Sequence, residues 1–325
     1  MSTHDGPLVL VVSVSQDDSH VAPVQAALQD EHTFVRVDLD RVAAGTQQLD
    51  LVWEAGEAVL HVDGRRFFSG EIAAGWWRKP HWLTLPVPDP LLNQSLVREN
   101  LNSNAMVWSF LDSRIWLNDP WVMKGAAQKG KQWRIAESLG LRTARTVVGN
   151  QWTSVTAALG NTPTIFKAVD GSLRTQEGGR ATYATKLDPV ALDHLSQRAS
   201  AWPGMFQESL TKSCEWRVTV VGSETFPVAV RATGAGLTDW RKSRADEVQF
   251  SSEPLSANVA AACVALTHQL GLRYSAIDLV VDSGGEFWFL EANPNGQFAW
   301  LDPVAGGQIS AAIAACLSNI AFSRG

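Results

Sequence analysis

The most informative segment of this chain is Phe289–Gly296, which reads FLEANPNG. It places a carboxylate, Glu291, and an amide, Asn293, two residues apart at the end of an apolar strand. Because side chains alternate between the two faces of a strand, both point the same way, with Cα atoms roughly 7 Å apart. The plainer alternative is a solvated strand-end acid followed by an Asn-Pro turn.

A second apolar strand, Tyr274–Val281, precedes this stretch and contains one acid, Asp278. The residues between the two strands, Asp282–Gly285, read DSGG and are typical of a turn. Two apolar strands joined by such a turn predict a β-hairpin.

The register of the hairpin decides where Asp278 points. If Val281 pairs with Glu286, Asp278 lies opposite Phe289, one diagonal step from Glu291 and on the same face. A slip of one residue would move Asp278 to the other face, and sequence alone does not set the register.

Three oxygen donors on one sheet face are typical of a site for a hard cation. Mg²⁺ takes few protein carboxylates and completes its coordination with phosphate oxygens. A lone carboxylate buried in an apolar strand is costly, which favours a metal over the solvated alternative. We therefore predict that Asp278, Glu291 and Asn293 bind Mg²⁺.

Composition bounds the class of protein. The 325 residues are 45% hydrophobic and 18% charged, which is ordinary for a globular chain of two or three subdomains. The net charge of −6, without a concentrated basic stripe, argues against nucleic-acid binding, and no apolar run is long enough to span a membrane. An odd, sparse set of cysteines and a start without signal-peptide features predict a cytoplasmic protein.

Three units are predicted along the chain, with an α/β (α+β) fold overall. Residues 1–120 form an N-terminal α/β domain with strands at 7–14, 34–38 and 72–77, a meander between them, and a helical stretch at 91–111. Residues 121–204 carry a helix at 128–139, strands at 145–148 and 164–169, and a helix at 190–201. Residues 205–325 carry strands at 205–210, 215–221 and 225–232, a helix at 255–270, the metal hairpin and a closing helix around 309–320.

Phosphate binding has two possible sources in this sequence. Gly125–Gln132, GAAQKGKQ, nearly matches the phosphate loop G-x-x-x-x-G-K-[ST], but the last position lacks a hydroxyl and no apolar strand leads into it. The other source is a set of separated side chains: Lys129 before a helix, Lys167 within a strand, and a glycine-containing loop at 170–179 that could fold over phosphates. Taken singly, each of these lysines is more simply a surface charge.

Further polar residues extend this second set. Gln207 and Glu208 end a short strand, where they can hydrogen-bond an adenine edge. Arg217 and Arg231 lie on neighbouring strands and are expected to face one anionic group.

In this order along the chain, Lys129, Lys167, Gln207-Glu208 and Asp278…Glu291-x-Asn293 resemble the nucleotide and metal positions of the ATP-grasp superfamily. A closer resemblance is to the microviridin-type peptide ligases, the graspetide synthetases, and it spans nearly the whole chain. The motifs that carry it are WWRKP at 76–80, ATYAT at 181–185, DWR at 239–241 and LEANPNGQFAW at 290–300. Two departures are Ala292, where valine is expected, and the glycine next to Lys129, which leaves Lys131 as an alternative phosphate ligand.

The resemblance implies an ATP-grasp fold with an N-terminal pre-ATP-grasp domain. It also implies a ligase that uses ATP and Mg²⁺ to activate Asp or Glu side chains of a ribosomally made precursor peptide as acyl phosphates. Ser, Thr or Lys side chains of that peptide, which has a leader and a core, would then close ω-ester or ω-amide macrocycles.

Residue roles follow from the same resemblance. Lys129 and Lys167 would hold phosphates, Gln207 and Glu208 the adenine or ribose, and Arg217 and Arg231 the peptide carboxylate and its acyl phosphate. Residues 76–78 and 239–241 would contact the peptide. The family also suggests a homodimer.

Two other functions remain open on the sequence alone. One is an ATP-grasp ligase that adds free amino acids to a peptide or protein end. The other is a non-catalytic ATP-binding scaffold of the same fold, against which the intact metal ligands argue.

Overall fold

The computed structural model describes residues 6–28, 31–78, 89–167, 185–187, 204–232 and 245–323. Several predicted features lie outside this part of the chain. They are the loop at 170–179, the helix at 190–201, Lys79-Pro80, residues 181–184 of the ATYAT motif, and the DWR motif at 239–241.

The N-terminal unit has a parallel sheet and a small antiparallel one. β1 (Leu8–Ser13) lies between β2 (Thr33–Asp38) and β6 (Ile72–Trp77) in the parallel sheet, and all six β1 residues are buried, as its unbroken apolar run predicts. The predicted meander is β3 (Leu49–Glu54), β4 (Glu57–Val62) and β5 (Arg65–Phe68). The helices are α1 (Asp18–Leu28), α2 (Leu39–Ala43) and α3 (Pro90–Ser109).

The middle of the chain builds a four-stranded antiparallel sheet. Its order is β10 (Thr185–Lys186), β9 (Thr164–Lys167), β11 (Gly204–Glu208) and β8 (Thr146–Gly149). The helix α6 (Trp152–Leu159) covers one face of this sheet. There, Val155 and Leu159 of the helix pack in one cluster with Phe206 of β11. By strand alternation, Lys167 and Gln207 lie on the uncovered face with Ile165 and Met205.

The C-terminal part contains a six-stranded sheet. Its order is β14 (Val248–Ser252), β13 (Glu224–Ala232), β12 (Lys212–Val221), β15 (Tyr274–Asp282), β16 (Phe287–Asn293) and β7 (Arg142–Thr143). Sequence patterns did not predict β14 or the short β7, which pairs in parallel with β16. One face packs against α5 (Lys129–Ser138) and α7 (Ala257–Gln269), while part of the other packs against α8 (Gln308–Phe322).

The β15–β16 hairpin differs from the predicted register and still keeps the predicted face. Val281 pairs with Phe287 rather than Glu286, a slip of one residue that by itself would send Glu291 to the face away from Asp278. A β-bulge then shifts the pairing, so Asp278 lies directly opposite Glu291. The pairing of Val281 with Glu286, which the sequence left open, does not occur, and Asp278 and Glu291 nevertheless share one face.

The sheets cross the predicted unit boundaries. The strand β11 belongs to the small sheet although most of it follows residue 204, and β7, which precedes 204, extends the large sheet. A helix that begins just after residue 120, α4 (Pro120–Ala126), leads into α5. The division at 120 and 204 stays a prediction.

The N-terminal unit docks on the C-terminal part through one apolar cluster. Buried side chains of β1 and α1, including Val9, Val11 and Val24, share it with Ile313 and Leu317 of α8. None of the described helices combines the length and apolar character needed to cross a membrane.

Candidate active site

The predicted metal ligands lie together on one face of the large sheet. Asp278 on β15 faces Glu291 on β16 across the ladder, and Asn293 follows two residues later on the same face. The Asn293 amide Nδ2 donates to Glu291 Oε1 at 3.2 Å. Within the described residues, no group of three or more His, Cys, Asp or Glu side chains could hold a metal, so this site depends on Asn293 for its third oxygen.

Each of the two carboxylates is paired with a cation. Lys129, the first residue of α5, contacts Glu291 Oε2 through Nζ. Arg217 on β12 is the direct partner of Asp278 in the ladder, and its Nη1 donates to Asp278 Oδ1 at 2.7 Å. The structure therefore brings together two of the predicted cations and all three predicted metal ligands.

The electrostatics of this face keep Glu291 ionised. Burial alone would raise the pKa of Glu291, but the charge and hydrogen bond of Lys129 outweigh it. With help from Asn293 and Lys167, they lower the pKa of Glu291 to about 2. A carboxylate in this state is ready to bind a cation at neutral pH.

Two predicted site residues of the small sheet, Lys167 and Gln207, are hydrogen-bonded to each other. Lys167 Nζ donates to Gln207 Oε1 at 2.8 Å, and Gln207 Nε2 donates to Thr146 Oγ1 at 2.8 Å. The charge of Lys167 helps to lower the pKa of Glu291, so the end of β9 lies within electrostatic range of that carboxylate.

Glu208 is not placed with Gln207. Alternation along β11 directs Glu208 to the face that α6 covers, where Arg145 donates to both of its carboxylate oxygens at 3.0 Å. Its predicted contact with the nucleotide stays a prediction, and of the two neighbours Gln207 alone shares the face of Lys167.

Arg231 does not face the same group as Arg217, so that expectation was wrong. Arg217 lies opposite Val228 in the β12–β13 ladder, and Arg231 is three residues further along β13, which puts it on the other face of the sheet. Arg231 is half-exposed there, and its Nη2 donates to Glu253 Oε2 at 2.9 Å. The two arginines do lie on neighbouring strands, as predicted. The alternation of side chains along the strands, however, puts their guanidinium groups on opposite faces of the sheet.

The near-match to a phosphate loop joins two helices. Gly125 lies in α4 and Gly130 in α5, and the strand that such a loop needs does not precede them. The side chain of Lys129 reaches Glu291, as the separated-lysine interpretation expects. The binding of phosphate by Lys129 rather than Lys131 stays a prediction.

The sequence did not lead us to Gln132, whose side chain binds the backbone next to Glu291. The side chain is buried, with Nε2 donating to Ala126 O at 2.8 Å and Ala292 O at 2.6 Å, while Oε1 accepts from Ala292 N at 3.0 Å. It thus ties the helix that begins at Lys129 to the strand that carries Glu291. The signal available in the sequence was the position of Gln132. It is a polar residue four positions before Ala136, on the same buried stripe of α5.

Two residues of the WWRKP motif are not available for the peptide contact predicted for them. Trp76 is 4% and Arg78 is 1% exposed, so neither can touch a ligand at the surface. The prediction for this pair was wrong, because a parallel strand covered on both faces buries the side chains at its end.

The donor set suits Mg²⁺. Two carboxylates and an amide oxygen on one face are the hard ligands that this ion takes, and their small number leaves room for phosphate oxygens. Three cations around two carboxylates, namely Lys129, Lys167 and Arg217, make the surrounding charge favourable for a polyphosphate.

No protein-family model and no curated protein matches this sequence. Solved structures match it over almost its whole length. A RiPP-associated ATP-grasp ligase from Chryseobacterium gregarium, in complex with ADP and a leader and core peptide, is 21% identical and superposes with a TM-score of 0.85, covering 96% of each chain. The macrocyclase MdnC from Microcystis aeruginosa MRC, bound to precursor peptide MdnA, is 25% identical with a TM-score of 0.81, covering 96% of this chain and 99% of that one.

A more distant match extends the similarity to another ligase. D-alanyl-alanine synthetase A from Vibrio cholerae is 13% identical with a TM-score of 0.63, and the match covers 98% of this chain and 100% of that one. The chain therefore has the ATP-grasp fold, as predicted. Within that fold, its structure is similar to those of peptide macrocyclases, including their N-terminal unit.

Proposed function

We propose that this protein is an ATP-dependent peptide ligase of the graspetide type. It activates Asp or Glu side chains of a ribosomally made precursor peptide as acyl phosphates. Ser or Thr hydroxyls, or Lys amines, of the same peptide then attack, closing ω-ester or ω-amide macrocycles with release of ADP and phosphate. The observation that carries the proposal is the face on which Arg217–Asp278 and Lys129–Glu291 lie side by side, with Lys167 near enough for its charge to lower the pKa of Glu291.

The roles of the residues follow from their charges. Asp278, Glu291 and Asn293 would hold Mg²⁺, which neutralises phosphate charge during transfer. Lys129 and Lys167 bind phosphate oxygens, and Gln207, buried at 4% exposure, keeps Lys167 in place through its hydrogen bond. These side chains position and neutralise the reactants, which is the main task of a protein in phosphoryl transfer.

Arg217 is the residue we assign to the acceptor carboxylate. Its guanidinium lies beside Asp278 and has several donors, so it can hold the carboxylate of the peptide and then its acyl phosphate. The second step needs a free hydroxyl or amine close to the acyl phosphate and no water in competition.

The solved structures support a peptide as the partner. The Chryseobacterium ligase carries ADP with a leader and core peptide, and PsnB, an ATP-grasp ligase 24% identical to this chain, carries a precursor variant with Mg and ADP. ATP, Mg²⁺ and a precursor peptide with a leader and a core are therefore the reactants to test first.

Mass spectrometry tests the proposal. Purified protein is incubated with ATP, MgCl₂ and the peptide encoded by a neighbouring short reading frame rich in Thr, Ser or Lys and in Asp or Glu. We expect the loss of one water for each link and one ADP released per link. A peptide that instead gains amino acid residues would replace the proposal by a ligase that extends peptide ends.

The scaffold alternative has its own outcome in the same experiment. A non-catalytic scaffold would bind ADP. It would produce no ADP when it is supplied with ATP and the peptide. The Arg217→Ala protein serves as the matched control, because it should bind ADP and leave the peptide mass unchanged.

Three further points belong to this proposal. We place the reaction in the cytoplasm, where the three free cysteines, Cys214, Cys263 and Cys316, would stay reduced. We keep a three-part division near residues 120 and 204, and a homodimer, as expectations from the resemblance. Light scattering of the purified protein checks the dimer.

A further inference from the structure

Arg78 is a buried cation that the proposed reaction does not use. It follows β6 of the N-terminal unit and is 1% exposed. Its Nη1 donates to Asn295 O at 3.0 Å, Asn295 Oδ1 at 2.9 Å and Gly296 O at 3.1 Å. The guanidinium carbon also lies 5.8 Å from the centre of the Phe298 ring. A buried arginine of one unit is thus committed to a loop of another.

That loop directly follows the metal ligand Asn293, and side chains hold its carbonyl groups. Asn118 Nδ2 donates to Pro294 O at 2.8 Å, while Tyr274 Oη donates to Gly296 O at 2.8 Å and so shares this carbonyl with Arg78. Because a buried carbonyl needs a partner, the loop keeps this path only while these donors stay in place.

Close packing transmits the position of the loop to Asn293. Gly296 N donates to Asn293 O at 3.3 Å, which closes a tight turn. A Cβ at Gly296 would lie 2.2 Å from the Ala276 side chain and 3.4 Å from Asn293 Cβ. The loop therefore has no room for a side chain at position 296, where Gly296 packs directly against Ala276 and close to Asn293.

The N-terminal unit also holds Arg78 itself. Asp17 Oδ2 lies 3.0 Å from Arg78 Nε, and His20 Nδ1 lies 2.7 Å from Asp17 Oδ1. Because His20 Nε2 accepts from Phe298 N at 3.2 Å, Nδ1 is the ring nitrogen that donates to Asp17. Burial would raise the pKa of Asp17, but the bond from His20 and the charge of Arg78 lower it, so Asp17 stays anionic.

We propose that Arg78 is a positioning residue for the Mg²⁺ site: it links the N-terminal unit to the loop 294–296 and so sets the place of Asn293. The inference rests on the proposed function only in taking Asn293 as a ligand of Mg²⁺. It assigns to the N-terminal unit a part in metal affinity, although that unit supplies none of the three proposed metal ligands.

Calorimetry of ADP binding tests this without any peptide. ADP is titrated into the full-length protein in EDTA and at a series of MgCl₂ concentrations, which yields ADP affinity without metal and the apparent Mg²⁺ dissociation constant. We expect Arg78→Lys to raise that constant at least tenfold while ADP affinity in EDTA changes less than twofold. Lysine keeps the charge, but its single ammonium cannot replace a planar guanidinium whose Nε faces Asp17 while its Nη1 reaches Asn295 and Gly296.

Arg36→Lys is the matched control. Arg36 is a partly buried arginine of the same unit that pairs with Asp18 and Asp38, and it makes no described contact with the loop. We expect it to leave the Mg²⁺ constant within twofold of wild type at a similar melting temperature. A wild-type Mg²⁺ constant in Arg78→Lys, or an equal rise in Arg36→Lys, would overturn the inference.

Other outcomes separate this inference from the proposed function. If Arg78→Lys does not fold, the double variant Tyr274→Phe/Asn295→Ala replaces it, since it removes two polar contacts of the loop and keeps the buried cation. We then expect the double variant to raise the apparent Mg²⁺ dissociation constant at least tenfold. Loss of peptide cyclisation with Mg²⁺-dependent ADP binding intact would count against the proposed function alone, whereas ADP binding by wild type without any Mg²⁺ dependence would overturn both.

Discussion

At the residue scale, the site consists of carboxylates that cations have already neutralised. Glu291 is paired with Lys129 and Asp278 with Arg217, so binding of Mg²⁺ and a polyphosphate exchanges one set of partners for another. Because the pKa of Glu291 is lowered to about 2, this carboxylate is ionised at neutral pH and has no proton to lose before a metal binds. Substitutions that remove one of these charges should therefore weaken ligand binding far more than they lower the free energy of unfolding.

We expect Glu291→Gln to abolish Mg²⁺-dependent ATP turnover while the protein stays folded. The amide is nearly the same size but lacks the charge that binds the metal. ADP release and circular dichroism measure the two properties. Near-normal ADP release with Mg²⁺ present would show that Glu291 is not a ligand.

Lys167→Ala should weaken ADP binding far more than Lys131→Ala. Loss of a charge-assisted hydrogen bond costs roughly 1.5–3 kcal/mol, or about 10- to 100-fold in affinity. Lys131 follows Lys129 on α5, and its nearness to a phosphate-loop motif is accidental in this fold. Calorimetry ranks the two variants, and the reverse order would favour the phosphate-loop interpretation.

Replacement of Arg217 and replacement of Arg231 by alanine should affect peptide-dependent turnover differently. Arg217→Ala is expected to stop peptide-dependent turnover, because Arg217 lies on the face of Asp278 and Glu291. Arg231→Ala should keep at least half of the wild-type rate, because its side chain is 47% exposed on the other face. Mass spectrometry of the peptide over time compares the rates, and equal losses would contradict the placement of Arg231 on the face away from the substrate.

At the element scale, the bulge in the β15–β16 hairpin decides the site. It returns Glu291 to the face of Asp278 after a register slip that would have separated them. The strand that carries Glu291 is further held by Gln132 of α5, which satisfies both polar backbone groups of Ala292. Helix α5 and the hairpin are thus joined next to the proposed metal ligands.

Gln132→Ala should lower the free energy of unfolding by about 2–4 kcal/mol. The substitution leaves the buried N–H and C=O of Ala292 without their partner, and each such group costs about 1–3 kcal/mol. Urea unfolding followed by tryptophan fluorescence measures the change. The exposed Gln128→Ala is the control, and an unchanged midpoint for Gln132→Ala would mean that water replaces the side chain.

At the scale of the whole molecule, the residues of the proposed site come from different parts of the chain. The large sheet carries the carboxylates and the small sheet carries Lys167. A ligand that contacts residues of both sheets would bind the folded protein only, so it should stabilise the fold by mass action.

ADP at about 100 times its dissociation constant should add about 2.7 kcal/mol to the free energy of unfolding when Mg²⁺ is present. Removal of Mg²⁺ by EDTA should reduce this gain. Differential scanning calorimetry provides the comparison, with Glu291→Gln as the variant that should lose the Mg²⁺ part of the gain. An equal gain in EDTA for wild type would place ADP away from the carboxylates.

Sequence alone determined much of this protein. Apolar runs predicted β1, β6 and the β15–β16 hairpin, because burial of a strand on both faces demands uninterrupted apolar residues. The spacing of Glu291 and Asn293 predicted their common face, since alternation is a local property of a strand. The resemblance of the motifs predicted the ATP-grasp fold, which the solved structures confirm.

Tertiary structure decided the rest. The bulge opposite Asp278, the separation of Arg217 from Arg231, and the partners of Glu208 and Gln132 depend on register and on elements distant in the chain. The burial of Arg78 against residues 295 and 296 joins parts of the chain more than 200 residues apart. Local patterns determine which side chains share a strand face, whereas contacts between distant segments are set by packing of the whole core, which no local spacing encodes.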